Sequence, residues 1–256
     1  MKEVIVMKLG AQLYSVRDVC VDVASFKETC RRLKEIGYDA VQISGIAPSI
    51  TAADIAAVTK EYDLAVPTTH ISADRLIKDT EAVIAEHRLF GAKEIGIGGL
   101  GRIPDLATAC EKFDAIREAT KKIEAAGMKF GFHNHYWEFT DIGGDSMYEV
   151  MINEYPEFNF IHDVYWTTYA GLDPIAYIRR LRGRIVNIHF KDMLKAPQGP
   201  ICPCGEGIID MKAIYDACVE TGVSAAFVEQ DNAPDSGDSI GQMAISYKNL
   251  APIFGK

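Results

Sequence analysis

The sequence predicts an α/β protein built as a single (β/α)8 (TIM) barrel that spans residues 1–256. Three observations support this fold class. Eight short apolar runs of strand length alternate with longer amphipathic stretches along the whole chain. The runs are mostly apolar throughout, as in parallel strands that helices cover on both faces. A glycine also recurs between a helical pattern and the following strand, in segments such as EIGYDAVQI, LFGAKEIGI and ETGVSAAFV. A β-then-α unit of roughly 30 residues, repeated eight times, is typical of this barrel.

The predicted strands are Lys8–Leu13, Ala40–Ile43, Ala65–His70, Glu94–Ile97, Lys129–His133, Asn159–Asp163, Ile185–His189 and Ala225–Glu229. Between them lie helix signals. Ser25 is a candidate cap for a first helix that runs to Ile36. Asp173-Pro174 and Asp210 are candidate starts of the helices after the sixth and seventh strands. A doubly wound open sheet is the alternative architecture, although such sheets more often have about five or six strands.

Composition indicates a globular protein with its own core. Hydrophobic residues make up 48% of the chain and charged residues 25%, which excludes intrinsic disorder. Acidic residues outnumber basic residues by 36 to 27, and the net charge is −9. We therefore expect neither nucleic acid nor an anionic membrane as a partner. The N-terminus lacks the apolar run of a signal peptide, and no apolar stretch approaches about 18 residues, so we expect a cytoplasmic protein.

Polar and charged side chains stand at the C-terminal ends of the predicted strands: Gln12, Gln42, His70, the His133–Glu138 segment, Asp163, His189 and Glu229. In a barrel these ends meet at one mouth, where the chemistry is usually housed. Burying such charges together is costly unless they pair or hold a metal ion. Around the fifth strand, spacing alone leaves His133, His135 and Glu138 all open as metal ligands.

Five motifs lie at or near these strand ends: FHNHYWEF, DVYW followed by AGLDP, NIHFKDM, GEGIIDM and FVEQDN. Together they resemble the xylose isomerase-like barrels of the sugar phosphate isomerase/epimerase family, whose members include ketose 3-epimerases, hydroxypyruvate isomerase and inosose dehydratase. The resemblance extends from GAQLYSVRD to the eighth strand. It implies one divalent ion held by Glu138, Asp163, His189 and Glu229. Three carboxylates and one imidazole favour Mn²⁺ or Mg²⁺, with Zn²⁺ or Co²⁺ as further possibilities.

The resemblance also implies an activity: a metal-dependent isomerase or epimerase of sugars or sugar phosphates that works through an enediolate. The ion would polarise the carbonyl of a small carbohydrate substrate. Glu138 and Glu229 would act as acid and base on opposite faces of that substrate. The residues expected to bind the substrate are His70, His135, Trp137, Trp166 and Lys191. Trp166 stands where several epimerases of the family carry a histidine.

Three other functions are open on the same fold. A lyase or dehydratase acting on a keto-inositol or keto-sugar derivative would use the same site with a leaving group on the β-carbon. An endonuclease IV-like enzyme would need several metal ions and many histidine ligands, and the acidic balance of the chain disfavours it. A barrel that binds sugar without catalysis is the third. Family members are often oligomers, so a homo-oligomer is possible.

Two glycine motifs suggest other ligands. GIGGLG, from Gly96 to Gly101, matches the spacing of a dinucleotide-binding loop, but it follows the fourth strand and the next helix begins only near Pro104. A tight loop is the better interpretation. Gly205-Glu206-Gly207 suggests a phosphate nest but also matches the family's G-x-G after strand seven. Whether the substrate is phosphorylated therefore stays open at this point.

Overall fold

Eight parallel strands form the wall of a nearly closed barrel in the computed structural model, which describes residues 7–256. The strand order around the wall is β2-β1-β10-β7-β6-β5-β4-β3, and this confirms the predicted (β/α)8 fold. A short antiparallel pair, β8 and β9, lies in the loop after β7. The strands are β1 (Lys8–Gln12), β2 (Ala40–Gln42), β3 (His70–Ile71), β4 (Glu94–Ile97), β5 (Lys129–His133), β6 (Asn159–Asp163), β7 (Ile185–Phe190), β8 (Asp192–Met193), β9 (Ile201–Cys202) and β10 (Ala225–Val228).

The third barrel strand differs from its prediction. The chain from residue 65 to residue 70 was expected to pair throughout, but β3 covers only His70–Ile71. Single parallel bridges, Ala40 to Ala65 and Ile43 to Thr69, close the barrel on this side. Pro67 lies between the two bridges and has no N–H to donate to a ladder. Its carbonyl instead accepts from two backbone amides at the start of β4, so regular pairing is interrupted there.

Helices cover the outside of the barrel. They are α1 (Val23–Ile36), α2 (Ala52–Glu61), α3 (Ala73–Lys78), α4 (Thr80–Leu89), α5 (Leu106–Ala125), α6 (Met147–Glu154), α7 (Val164–Tyr169), α8 (Pro174–Arg180), α9 (Met211–Thr221) and α10 (Ser239–Leu250). The predicted starts at Asp173-Pro174 and Asp210 are confirmed, because both aspartates cap their helices. The prediction that Ser25 caps α1 is wrong. Asp22 is the cap, and Ser25 completes a reciprocal capping box from the third helical position.

Glycines allow the strands to pack closely inside the barrel. A Cβ atom on Gly96 would lie 2.4 Å from the carbonyl oxygen of Thr69 and 2.5 Å from Cδ1 of Ile161. Gly96 therefore has a packing role, and α5 begins well beyond GIGGLG, as expected for a loop rather than a nucleotide-binding turn. In the part of the chain that the structure describes, no helix is both long and apolar enough to cross a membrane.

Candidate metal and substrate site

Four strand ends bring four ligand-type side chains together at the mouth of the barrel. His133 and Asp163 are the last residues of β5 and β6, His189 is the fifth residue of β7, and Glu229 directly follows β10. These four strands are consecutive neighbours in the wall, and Asp163 is in register with His189. One nitrogen or oxygen atom from each side chain lies within 4.8 Å of the other three, and all four residues are buried.

The ring of His189 is held from both sides. Its Nδ1 lies 2.8 Å from Oε2 of Glu229, and its Nε2 lies 2.7 Å from Oε1 of Gln42, at the end of β2. The side-chain carbonyl of Gln42 can accept a hydrogen bond from Nε2–H, and Nδ1 faces the carboxylates of Glu229 and Asp163. A second group that orients the ring of a histidine is a regular feature of metal sites.

The cluster fits a divalent ion. Nε2 of His133 lies 3.5 Å from Oδ2 of Asp163 and 3.9 Å from Oε2 of Glu229. Neither His133 Nε2 nor Asp163 Oδ2 has a hydrogen-bond partner among the described residues, although both atoms are buried. Ligand atoms that share one ion at about 2.0–2.2 Å lie within about 4.4 Å of each other. The separations of His133 Nε2 from Asp163 and Glu229 meet this limit, and the whole set, within 4.8 Å, exceeds it by at most about 0.4 Å, so a small closure of the cluster would place all four atoms around one ion. Two imidazole nitrogens and two carboxylate oxygens are a donor set that suits Zn²⁺, Mn²⁺ or Co²⁺.

A buried lysine neutralises part of this negative charge. Nζ of Lys191 lies 2.7 Å from Oδ1 of Asp231, 3.3 Å from Oε2 of Glu229 and 3.7 Å from Oδ2 of Asp163. It also lies 4.9 Å from the centre of the Trp166 ring, a cation–π distance. Burial alone would lower the pKa of Lys191, but Asp231 and Glu229 raise it above its ordinary value. The side chain is therefore an ammonium ion at neutral pH.

The same contacts keep the carboxylates of the cluster ionised. Burial alone would raise the pKa of Glu229, but the charge of Lys191 and the hydrogen bond from His189 hold it well below its ordinary value. Burial would likewise raise the pKa of Asp163, and Lys191 and His133 lower it. The pKa of His189 rises to about 9, because Glu229 and Asp163 outweigh its burial. Metal ligands must be deprotonated, so an ion bound here would replace the proton on His189.

A cavity of about 380 Å³ opens beside the cluster, and aromatic rings form one wall of it. The ring of His135 stacks on Trp137 at a centroid distance of 4.3 Å, and Trp166 lies 5.4 Å from His135. The residues that line the cavity are Tyr14, Ser44, His70, Ile71, Gly98, His133, His135, Trp137, Trp166, Lys191, Glu229 and Asp231. All five residues expected to bind a substrate are among them.

Glu138, predicted as a metal ligand and acid/base group, lies outside the four-residue cluster. After β5 the chain turns into a short 3₁₀ helix, Trp137–Phe139, which carries the buried side chain of Glu138. Its Oε2 accepts a hydrogen bond from the backbone N–H of His135 at 2.8 Å. Burial raises the pKa of Glu138 to about 8. Glu138 is not among the residues that line the cavity, whereas His133, at the end of β5, belongs both to the cluster and to the cavity lining.

The structure therefore brings Asp163, His189 and Glu229 of the predicted ligands together and adds His133, which spacing had left open. Sequence reasoning did not select Tyr14 and Ser44 as cavity residues. Both follow the first two barrel strands, so their position at strand ends is the signal that could have found them.

Comparison with known proteins agrees with this architecture. Similar solved structures include a sugar phosphate isomerase/epimerase from Parabacteroides distasonis (22% identity, TM-score 0.80, covering 96% of this chain and 99% of that chain). Others are an L-ribulose 3-epimerase (14%, 0.72, 97% and 95%) and an IolI protein with a bound zinc atom (16%, 0.76, 97% and 98%). No curated protein matches the sequence. A family model described as xylose isomerase-like TIM barrel matches residues 30–244. The chain therefore belongs to the xylose isomerase-like TIM-barrel family.

Proposed function

We propose that this protein is a divalent-metal-dependent isomerase or epimerase of a small carbohydrate, with His133, Asp163, His189 and Glu229 as the metal ligands. The convergence of their four ligand atoms within 4.8 Å, beside a cavity of sugar size, is the observation that carries the proposal. A divalent ion held there would supply Lewis-acid polarisation of the substrate's carbonyl, which acidifies the neighbouring C–H bond. The resemblance of the fold to an L-ribulose 3-epimerase and a sugar phosphate isomerase/epimerase supports the same reaction class.

Glu229 is our candidate for the base. It is ionised, and of the two carboxylates in the cluster it alone lines the cavity, whereas Asp163 is fully buried. A carboxylate in this position can remove the proton beside the substrate's carbonyl. Lys191 is our candidate donor to the oxygen that gains negative charge, since its ammonium group also lines the cavity.

This arrangement favours proton transfer on one face of the substrate. Epimerisation at one carbon requires a proton to leave from one face and return on the other. Glu138 is not among the residues that line the cavity, and the second carboxylate that does line it, on Asp231, is paired with Lys191 at 2.7 Å. One carboxylate can instead move a proton between adjacent carbons on a single face. We therefore favour aldose–ketose isomerisation over epimerisation.

A dehydratase is the second candidate, and the Lys191–Asp231 pair favours it. Both side chains line the cavity, and the ammonium group is an acid that can protonate a departing hydroxyl group. One similar structure, at 15% identity with a TM-score of 0.74, is a 3-DHS dehydratase from Bacillus anthracis.

Exchange of the α-proton in D₂O tests the proposal. The metal-supplemented protein is incubated with a panel of ketoses and keto-polyols, and deuterium incorporation is followed by NMR together with the products. We expect deuterium at the carbon beside the carbonyl with at least one compound, and loss of exchange in Glu229→Gln. An aldose product indicates the isomerase, and an unsaturated product with loss of water indicates the dehydratase. Equal exchange in Glu229→Gln would contradict the assignment of the base.

A further inference from the structure

On the basis of the proposed function, we infer that the substrate of this site is an unphosphorylated ketose or keto-polyol. Two observations in different parts of the mouth carry this inference. The glycine loop suited to a phosphate is already filled by a carboxylate of the chain itself. The cavity beside the metal cluster, in turn, holds more carboxylates than free cations.

The loop after β7 is where many TIM barrels bind phosphate through backbone amides. Here Oδ2 of Asp192 accepts hydrogen bonds from the N–H groups of Gly205 at 2.9 Å and Gly207 at 3.1 Å. Its Oδ1 accepts from Met193 at 2.8 Å and Ile209 at 3.1 Å. Asp192 is fully buried, and its carboxylate group occupies the position that a bound anion would take in the loop. The amides that could hold a phosphate are therefore already used.

The space in this nest is closed as well. A Cβ atom on Gly207 would lie 2.3 Å from Oδ1 of Asp192, so the glycine backbone is packed directly against the carboxylate. A phosphate group is larger than a methyl group and cannot enter without displacing Asp192. The G-x-G motif thus serves to fold the loop around Asp192.

The cavity itself offers little to a phosphate. Among residues 7–256, Lys191 is the one lysine or arginine that lines the cavity, and its ammonium group is already engaged by Asp231 and Glu229. Arg17 does not line it, and its guanidinium donates to the carbonyl oxygens of Tyr14 and Asp231. A phosphate recognised with high affinity usually has uncommitted cationic or amide donors around it.

The rest of the lining suits uncharged groups. Glu229 and Asp231 would repel a phosphate dianion placed in a cavity of this size. The stacked rings of His135 and Trp137, with Trp166 beside them, present flat apolar faces. Such faces pack against the C–H face of a sugar and gain nothing from a phosphate.

Tryptophan fluorescence provides a direct test, because the chain has two tryptophans and both line this cavity. The protein loaded with one equivalent of Zn²⁺ is titrated with inorganic phosphate, and with D-fructose and fructose 6-phosphate as a matched pair. We expect no saturable response to phosphate tighter than about 10 mM, and no gain in affinity for fructose 6-phosphate over fructose. Phosphate binding below about 1 mM, or fructose 6-phosphate binding at least about tenfold tighter than fructose, would overturn the inference.

A variant tests the role of the loop separately. In Asp192→Ala the four amides lose their carboxylate acceptor, so inorganic phosphate followed by ³¹P NMR should bind this variant more tightly than it binds the wild-type protein. Circular dichroism of the variant shows whether it folds. If the variant does not fold, the wild-type titration still decides the inference. These titrations require no turnover, so a failure of the proposed reaction would appear only in the D₂O exchange experiment and is distinguishable from a failure of this inference.

Discussion

Replacement of Lys191 by methionine tests the electrostatic design of the site. The ammonium group lies within 3.7 Å of three carboxylates, those of Asp231, Glu229 and Asp163, and the residue is 1% exposed. Removing one partner of a buried ion pair typically costs about 3–5 kcal/mol, because the remaining charges lose their compensation. We therefore expect Lys191→Met to lower the free energy of unfolding of the metal-free protein by about 3–5 kcal/mol.

Metal should compensate for part of this loss. Two of the three carboxylates belong to the proposed metal site, and the third, on Asp231, has a side chain that is 29% exposed. Without the nearby ammonium group, a divalent cation should bind more tightly, so saturating Mn²⁺ or Zn²⁺ should stabilise Lys191→Met more than it stabilises the wild-type protein. We expect saturating metal to reduce the difference in unfolding free energy between the wild-type protein and Lys191→Met by about half, or about 2 kcal/mol.

Urea unfolding with and without metal provides the measurement. Lys212→Met is the matched control, because Lys212 forms an exposed ion pair with Asp216 one helical turn away. That control should change stability by no more than about 0.5 kcal/mol, with no dependence on metal. If Lys191→Met does not fold without metal, the double variant with Asp231→Asn removes one uncompensated charge and should recover part of the stability. The reasoning would be refuted if Lys191→Met lost no more stability than Lys212→Met. It would also be refuted if metal left the stability difference between Lys191→Met and the wild-type protein unchanged.

Three further predictions concern the barrel interior and the cavity wall. Burial raises the pKa of Glu94 to about 7 from its ordinary 4.5, so the free energy of unfolding of the wild-type protein should fall as pH rises through this interval. Urea melts between about pH 5 and 8 should show this loss, and Glu94→Gln should remove about 2–3 kcal/mol of it. An unchanged pH dependence would contradict this. Gly96→Ala should lower the free energy of unfolding by about 1–3 kcal/mol, because its Cβ would meet Thr69 and Ile161. Gly98→Ala, whose Cβ would have its nearest neighbour at 3.5 Å, should lower it much less, and thermal melts of the two variants provide the comparison. Equal costs would show that the interior tolerates the methyl group. Trp166→Ala should weaken sugar binding by about tenfold and leave metal content unchanged, as calorimetry and elemental analysis would show. Loss of metal in that variant would place Trp166 in the metal site instead.

Periodicity was sufficient to predict the barrel because the strands are short apolar runs and several of the helices between them have start signals, such as Asp173-Pro174 and Asp210. It overestimated the third strand, where Pro67 interrupts pairing. The same reasoning located the mouth of the barrel, because polar residues that end apolar strands must meet there. It also located the ligand-type residues Asp163, His189 and Glu229 at that mouth.

The choice between His133 and Glu138 could not be made from the sequence. It depends on where the chain leaves β5, since the 3₁₀ turn that follows directs Glu138 toward the backbone of His135. Spacing within a motif does not encode the direction of such a turn. The buried contact of Lys191 with Asp231 was also beyond sequence reasoning, because it joins side chains from two loops that meet only in the folded barrel.

The metal content of two matched variants, His133→Gln and Glu138→Gln, tests the proposed site most directly. Both substitutions place a glutamine amide at a buried position, one at the end of β5 and one in the 3₁₀ turn after it, so each variant is the folding control for the other. Elemental analysis after supplementation should find about one Mn²⁺, Zn²⁺ or similar ion per chain in the wild-type protein and in Glu138→Gln, and markedly less in His133→Gln. Loss of the ion in Glu138→Gln with retention in His133→Gln would contradict the ligand set. Absence of any ion in the folded wild-type protein would contradict the metal site altogether.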